Sequence, residues 1–379
     1  MTDLLECRKE IDVIDKEILR LFEKRMKVCE DVAEYKIHTG KKVLDPKREQ
    51  DKINVLKDSA HGEFNELGAQ ELFQQIMAIS RKRQYQLLTK NGVENDTKDY
   101  EMVDALPVTD VNVVFQGVEG AYSYAAMRAY FSDNINSYHV KTFRDAMEEV
   151  ASGKADYAVL PIENSTEGIV TDIYDLLTEY QLYIVGEQGV KVEHVLLGIP
   201  GTSLDEIKTV YSHPQALAQC KKYLESHPDW KIVKTENTAG AAKKVHEEMN
   251  KTQAAIASRA AGLSVMAENI CYNDQNVTRF IIVSAHPVYE KSAAKVSVCF
   301  ELPHESGTLY NMLSHFIYNG LSMTKIESRP ITGKKWEYRF FVDFEGNLEE
   351  PAVKNALRGL EAEANRMRVL GNYGQQEEQ

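Results

Sequence analysis

The sequence predicts a multidomain chain with three architectures in series: all-α over residues 1–90, mixed α/β over 111–285 and α+β over 295–371. Three observations predict it. Apolar residues recur every three or four positions in the first segment; strand, polar turn and helix alternate in the second; the third reads β-α-β-β-α-β, the order of a ferredoxin-like module. The 379 residues suffice for two to four domains, at the usual scale of about 100–200 residues each. Residues 91–110 and 286–294 read as polar linkers, and the residues from Gly371 to Gln379 as a frayed end.

In the first segment, Ile11, Ile14, Ile18, Leu21, Val28, Val32 and Tyr35 mark one face of a helix, and Arg25 falls on that face. A second periodic stretch, Leu72, Phe73, Ile76, Met77, Leu87 and Leu88, carries Ser80 and Gln84 where the apolar stripe should continue. Between them Asp45 is placed to cap a helix that starts at Pro46 and carries Arg48 and Glu49 in its first turns. Polar groups on an apolar face need partners. A three-helix bundle with solvated salt bridges would account for any one of them. Together with Lys36 they offer cations, an amide, a hydroxyl and a carboxylate, a set suited to a small dianion with hydroxyl and ether oxygens. It contains neither a nucleophile nor a metal cage.

The middle segment repeats one pattern. Val111–Phe115 leads into Gly117-Val118-Glu119-Gly120-Ala121-Tyr122-Ser123, and Tyr157–Leu160 into Pro161-Ile162-Glu163-Asn164-Ser165-Thr166-Glu167-Gly168. Thr209–Tyr211 precedes Ser212-His213-Pro214-Gln215-Ala216-Leu217, and Ala254–Ala257 precedes Ser258-Arg259. In such sheets, ligands gather beyond the strand ends, where helix N-termini favour anions. Each Ser or Thr at these turns could equally be a helix cap, and the Gly-x-x-Gly turn lacks the full dinucleotide fingerprint. In the last segment, strands are expected at Lys295–Leu302, Met323–Glu327, Tyr338–Asp343 and Arg368–Leu370, with helices after Gly307 and over Pro351–Ala364.

A formal charge of −13 and a pI near 5.4 argue against a general nucleic-acid or membrane surface. The start carries no apolar secretory core, and no stretch offers the roughly 20 apolar residues of a membrane span. A cytoplasmic location is expected. The five cysteines, Cys7, Cys29, Cys220, Cys271 and Cys299, lack metal-ligand spacing, so reduced thiols are expected.

Residues 1–90 resemble the all-helical family of chorismate mutases, whose pattern is matched residue by residue by Arg8, Arg25, Lys36, Asp45, Arg48, Glu49, Ser80 and Gln84. The glycine turn through Ser123, Glu163-Asn164-Ser165-Thr166, Ser212–Leu217 and Asn276-Val277-Thr278-Arg279-Phe280 resemble, in order and spacing, prephenate dehydratase over 111–285. Glu327-Ser328-Arg329-Pro330, with the Gly307 turn upstream, is similar to the regulatory ACT domain of those dehydratases. One departure stands out: the family's usual Gly-Ala-Leu-Val is here Gly307-Thr308-Leu309-Tyr310.

The resemblance implies a bifunctional enzyme that turns chorismate into prephenate and prephenate into phenylpyruvate, inhibited by L-phenylalanine and needing no cofactor or metal. It implies that Arg8, Arg25 and Arg48 hold two carboxylates, Glu49 the ring hydroxyl, and Lys36 with Gln84 the ether oxygen. The first reaction is pericyclic, so catalysis is orientation and electrostatic stabilisation. For the second it implies two lobes like a periplasmic-type binding protein, with chain crossings near residues 188 and 262. Thr278 would stand at the leaving hydroxyl and Arg279 against an anion, with Ser123, Asn164, Ser165, Thr166, His213, Gln215 and Phe280 around the substrate. Threonine is a poor acid, so a hydrogen bond rather than full proton delivery is expected of Thr278; His213 is the alternative donor. Phenylalanine would be held by Gly307, Thr308, Leu309, Glu327, Ser328, Arg329 and Pro330 at a subunit interface, unless that module only dimerises.

Helix length adds a further expectation. Arg8 and Lys36 are 28 residues apart, about 42 Å along an unbroken helix. One cleft cannot use both from one chain, so an intertwined homodimer, or a higher homo-oligomer, with shared sites is expected. The alternative function is a non-catalytic amino-acid sensor, because a two-lobe fold with an ACT module also describes a ligand-responsive regulator. A DNA-binding regulator would need a basic recognition element that the sequence lacks.

Overall fold

The structure is a computed structural model that describes residues 3–93, 99–259, 262–272, 275–302, 304–305 and 307–376. It divides into two compact units, Met1–Asp99 with Val296–Val369, and Tyr100–Lys295 with Leu370–Gln379. The three segments are therefore not three beads in series. The N-terminal helices share a unit with the C-terminal module.

Three helices open the first unit: α1 (Leu4–Thr39), α2 (Pro46–Asp58) and α3 (Glu63–Lys90). Asp3 caps α1 by accepting from the Leu5 N–H at 2.9 Å, and Gly40, left-handed at φ 67°, ends it. Asp45 caps α2 with Pro46 at its first position, as the sequence expects. Both α1 and α2 pack on α3. The buried residues of α3 fall between Met77 and Tyr85 and are mostly polar: Ser80, Arg81, Lys82, Gln84 and Tyr85 lie beside Met77 and Ala78. The apolar stripe of α1 is left open, with Ile14 52% and Ile18 54% exposed.

The C-terminal module follows the expected β-α-β-β-α-β order. Its strands run across the sheet as Met323–Pro330, Tyr338–Glu345, Lys295–Glu301, Arg366–Tyr373. The first of these extends three residues beyond expectation because Glu327 to Pro330 pair with Phe341 to Tyr338, and Pro330 is tolerated on an edge strand. Lys295–Glu301 is buried at every position, as a central strand requires, rather than alternating. The helices Thr308–Tyr318 and Pro351–Glu363 pack on each other, and α3 packs against both.

Among the described residues the second unit holds one short two-stranded pair and two large sheets. One has the strand order Tyr183–Lys191, Val277–Ser284, Tyr157–Asn164, Asn112–Gln116, Asn136–Val140 and a core built on Val113, Phe115, Met127, Val159 and Ile282. The other runs Ser264–Ala267, His194–Gly198, Gln253–Ser258, Thr209–Ser212, Lys231–Lys234. The chain crosses between them twice, at Val192–Glu193 and after Ala267, not near 188 and 262. The reasons are two pairings: Tyr183–Lys191 stays paired with Val277–Ser284 past residue 188, and Ser264 to Ala267 pair with Gly198 to Leu196, which holds the chain in the second sheet past residue 262.

Both expected linkers prove structured where they are described. Glu101–Val103 pairs in parallel with Val288–Glu290, and the Leu106 N–H donates to Glu290 at 2.9 Å. The few apolar residues of these polar stretches, Leu106 and Tyr289 among them, are buried. Residues 94–98 of the first linker lie outside the described residues. The expected frayed end is sheet as well: Gly371 pairs with Ile184 and Gln375 with Glu187, while residues 377–379 lie outside the described ones. Glycine is needed at 371, since a Cβ there would stand 2.0 Å from the Ile184 carbonyl oxygen. Among the described residues no helix is long and apolar enough to cross a membrane, and no cluster could hold a metal ion.

Candidate functional site

The helical segment surrounds an open cleft of about 1160 Å³ lined by Arg25, Lys36, Asp45, Arg48, Glu49, Ser80 and Gln84, among others. Seven of the eight expected residues are thus brought together. Arg25 of α1 donates to the Ser80 hydroxyl, which in turn donates to the Ile76 carbonyl at 2.7 Å. Lys36 donates to the Gln84 side-chain oxygen at 3.1 Å and to the Val43 carbonyl at 2.7 Å. The Gln84 amide nitrogen reaches the Ser80 carbonyl at 3.3 Å, which fixes its oxygen toward Lys36. Burial pulls the Lys36 pKa down, and the Glu49 and Asp45 carboxylates oppose that pull. Asp45 spends one oxygen on the Arg48 N–H as helix cap.

Arg8 is the exception. It is exposed on the same unbroken helix and does not line the cleft. Seventeen residues separate it from Arg25, about 26 Å of helix. A residue the sequence reading missed stands in the cleft instead: Arg81, buried and paired with Glu49. In Arg81-Lys82-Arg83 it reads as one of three solvated charges. The available signal was its place on the helix, four residues from both Met77 and Tyr85 and next to Ser80.

In the second unit, strand register does the assembling. Thr278 lies opposite Asn164, and Arg279 opposite Glu163. The Asn164 side-chain oxygen accepts from the N–H groups of Thr166 and Glu167, both at 3.0 Å. Those two donors fix the amide, so its nitrogen donates to Thr278 Oγ1 and to Asn276 Oδ1, each at 2.8 Å. Ser165 ties the same turn down by donating to the Gln275 carbonyl at 3.2 Å and accepting from the Val277 N–H at 3.0 Å. Thr278 therefore receives a bond from Asn164 and keeps its own proton for another acceptor.

The other expected residues divide. Successive strand residues point to opposite faces, so Arg279 does not share the face of Thr278. It lies 3.5 Å from Glu163 and 3.4 Å from the fully buried Glu187, which Lys295 also holds at 2.9 Å. Phe280 is packed in the core of its sheet, a correction to its expected place at the substrate. Ser123 is buried and donates to the Gln116 carbonyl at 2.5 Å, fastening the helix that begins at Tyr122 to the preceding strand. His213 caps the short Pro214–Gln219 helix, accepting from the Gln215 N–H at 3.3 Å, and Gln215 is exposed. His194, unremarked in the sequence, bridges Tyr122 and Gln219 at 3.0 Å each; burial drives its pKa down to about 4. A neutral His194 cannot serve as an acid near pH 7.

Fold and geometry together define a class: a protein with one cation-lined cleft among three helices and the loop that joins the first two, and a second polar site on paired strand ends of an α/β unit. Comparison with known proteins narrows it. The family model for chorismate mutase type II matches residues 7–85, and that for prephenate dehydratase residues 113–288. The bifunctional chorismate mutase/prephenate dehydratase of Enterobacter agglomerans is 35% identical over 98% of this chain and 95% of its own. The crystal structure of prephenate dehydratase in complex with L-Phe from Arthrobacter aurescens is 34% identical with a TM-score of 0.64, covering 70% of this chain and 90% of that one. A solved structure described as GqqA, a novel type of quorum quenching acylase, is also 34% identical, with a TM-score of 0.65, over 70% of this chain and 98% of that one. The chain belongs to the family of bifunctional chorismate mutase/prephenate dehydratases.

Proposed function

We propose that this chain rearranges chorismate to prephenate in the helical cleft and converts prephenate to phenylpyruvate at Asn164 and Thr278. The observation that carries the reading is that seven of the eight expected mutase residues line one cleft, while Asn164 and Thr278 are bonded to each other across paired strands. In the cleft, Arg25 and Arg48 hold carboxylates and Glu49 accepts from the ring hydroxyl. Lys36 and Gln84 donate to the ether oxygen, on which charge grows as its bond breaks. Gln84 would have to turn its amide nitrogen from the Ser80 carbonyl to the substrate.

In the second reaction prephenate loses carbon dioxide and its ring hydroxyl, and the electron pair of the breaking C–C bond completes the aromatic ring. Thr278, accepting one bond from Asn164, donates its proton as a hydrogen bond to the departing oxygen. Its pKa is too high for full transfer near neutrality, so water or His213 completes the proton balance. The same polarity disfavours acyl hydrolysis by Thr278. A nucleophilic hydroxyl needs a base to take its proton, and the Asn164 amide is a donor.

The remaining assignments are proposals of the same kind. Residues 1–90, 111–285 and 295–371 serve as mutase, two-lobe dehydratase resembling periplasmic-type binding proteins, and ferredoxin-like ACT module in a cytoplasmic enzyme. The strand order of the last segment and the two crossings of the middle one support this. The ACT module binds L-phenylalanine through Gly307, Thr308, Leu309 and Glu327 to Pro330. Gly307, left-handed at φ 83°, opens a helix N-terminus suited to a carboxylate, and Met323–Pro330 is an edge strand able to meet a second subunit. The open stripe of α1 supports an antiparallel second copy that brings Arg8 to the cleft.

Arg25→Ala tests the reading: chorismate turnover should fall by about a hundredfold, while added prephenate is consumed at the original rate. Unchanged chorismate turnover would sink the mutase assignment.

A further inference from the structure

Arg81 has no part in the pattern that marks the mutase cleft, yet it is its most deeply held cation. It lies on α3 directly after Ser80 and is 7% exposed. One guanidinium nitrogen, Nη1, bonds Glu49 Oε2. The others face away from the cleft and grip Glu363, Nε to Oε1 at 2.8 Å and Nη2 to Oε2 at 3.3 Å. Glu363 is the last residue of the Pro351–Glu363 helix, and its Oε1 also lies 3.3 Å from Nε2 of His315 on the Thr308–Tyr318 helix. Gly359 makes room for that imidazole, because a Cβ there would stand 2.3 Å from it.

Burying a guanidinium between two carboxylates is a poor way to gain stability, since desolvation offsets most of the attraction. What a two-point grip does well is fix direction. The fork of Glu363 sets the plane of the Arg81 guanidinium, and that plane sets where Nη1 meets Glu49. Glu49 must present its free oxygen to a substrate hydroxyl within a few tenths of an ångström. We infer that Arg81 is a positioning residue for Glu49, and that Glu363 of the C-terminal module holds Arg81 in place, so the helical cleft takes part of its geometry from residues near the chain's other end. This rests on the reading of that cleft as the mutase site.

The test is a double-mutant cycle on the full chain, with kcat and KM for chorismate and, separately, for prephenate. Glu363→Gln keeps the side chain's size and removes its charge; it should lower mutase kcat by about tenfold with KM changed less than about twofold. Arg81→Met should lower it further, and the double variant should match Arg81→Met alone, because Glu363 acts only through Arg81. Prephenate turnover should be the same in all four proteins, which also reports that they fold. A mutase kcat in Glu363→Gln within about twofold of the original, losses that multiply in the double variant, or a parallel fall in prephenate turnover would each overturn the inference. If the unaltered chain has no mutase activity, the reading of the cleft fails instead.

Discussion

A single hydroxyl is the clearest case of a residue whose role follows from its neighbours. Asn164 is locked by two backbone N–H groups and spends its own N–H on Thr278 Oγ1, so the threonine proton is the one mobile donor of that group. Thr278→Ala should therefore cost about two orders of magnitude in prephenate turnover, whereas Thr278→Ser, which keeps the hydroxyl, should retain most of it. Steady-state kinetics with prephenate decide this, and full activity in the alanine variant would reduce Thr278 to a strand residue. The family resemblance nominated Asn164 and Thr278. It could not separate them from Phe280, which core packing claims, or from Arg279, which strand alternation turns toward Glu163 and Glu187. Arg81 went unread for another reason: charge on a helix is ordinarily solvated, and its partner Glu363 lies 282 residues away.

Among the elements, the Pro351–Glu363 helix shows how packing turns a surface charge into a structural one. Burial alone would raise the Glu363 carboxyl above its ordinary 4.5, but His315 and Arg81 outweigh it and hold the group down to about 2. A depressed carboxyl contributes stability above its unfolded pKa and loses it as pH falls toward its folded one. The stability that ionised Glu363 contributes should thus be present above about pH 4.5 and be lost as the pH falls toward about 2. Its companions in that pocket are Glu49 of α2, Arg81, Lys82 and Tyr85 of α3, His315, and Arg358 of its own helix. Urea unfolding of the original and Glu363→Gln proteins from pH 6 to 3 should show their stability difference shrinking through that window. A constant difference would mean that Glu363 is not ionised as described. The helices themselves were legible from period and caps. The pairing of Glu101–Val103 with Val288–Glu290 was not, because three-residue strands carry too little apolar signal to register as a period.

At the scale of the whole molecule, the proposed second copy of the chain would account for both the open face of α1 and the position of Arg8. Burying an isoleucine such as Ile14 or Ile18 against an antiparallel α1 is worth about 2 kcal/mol each, and the same arrangement delivers Arg8 to a cleft that its own helix cannot reach. Arg8→Ala and Arg25→Ala chains, each inactive as a mutase, should regain part of the activity when mixed and allowed to exchange subunits, since one site of each hybrid would then be whole. Lack of recovery after exchange verified by mass spectrometry would mean the clefts are not shared.

The claim that one chain carries both chemistries is tested most directly by giving the unaltered protein chorismate alone and following all species by proton NMR. The account predicts that chorismate disappears, prephenate rises and then falls, and phenylpyruvate accumulates to match the chorismate consumed. Accumulation of prephenate with no phenylpyruvate, or chorismate left untouched while added prephenate is consumed, would contradict it.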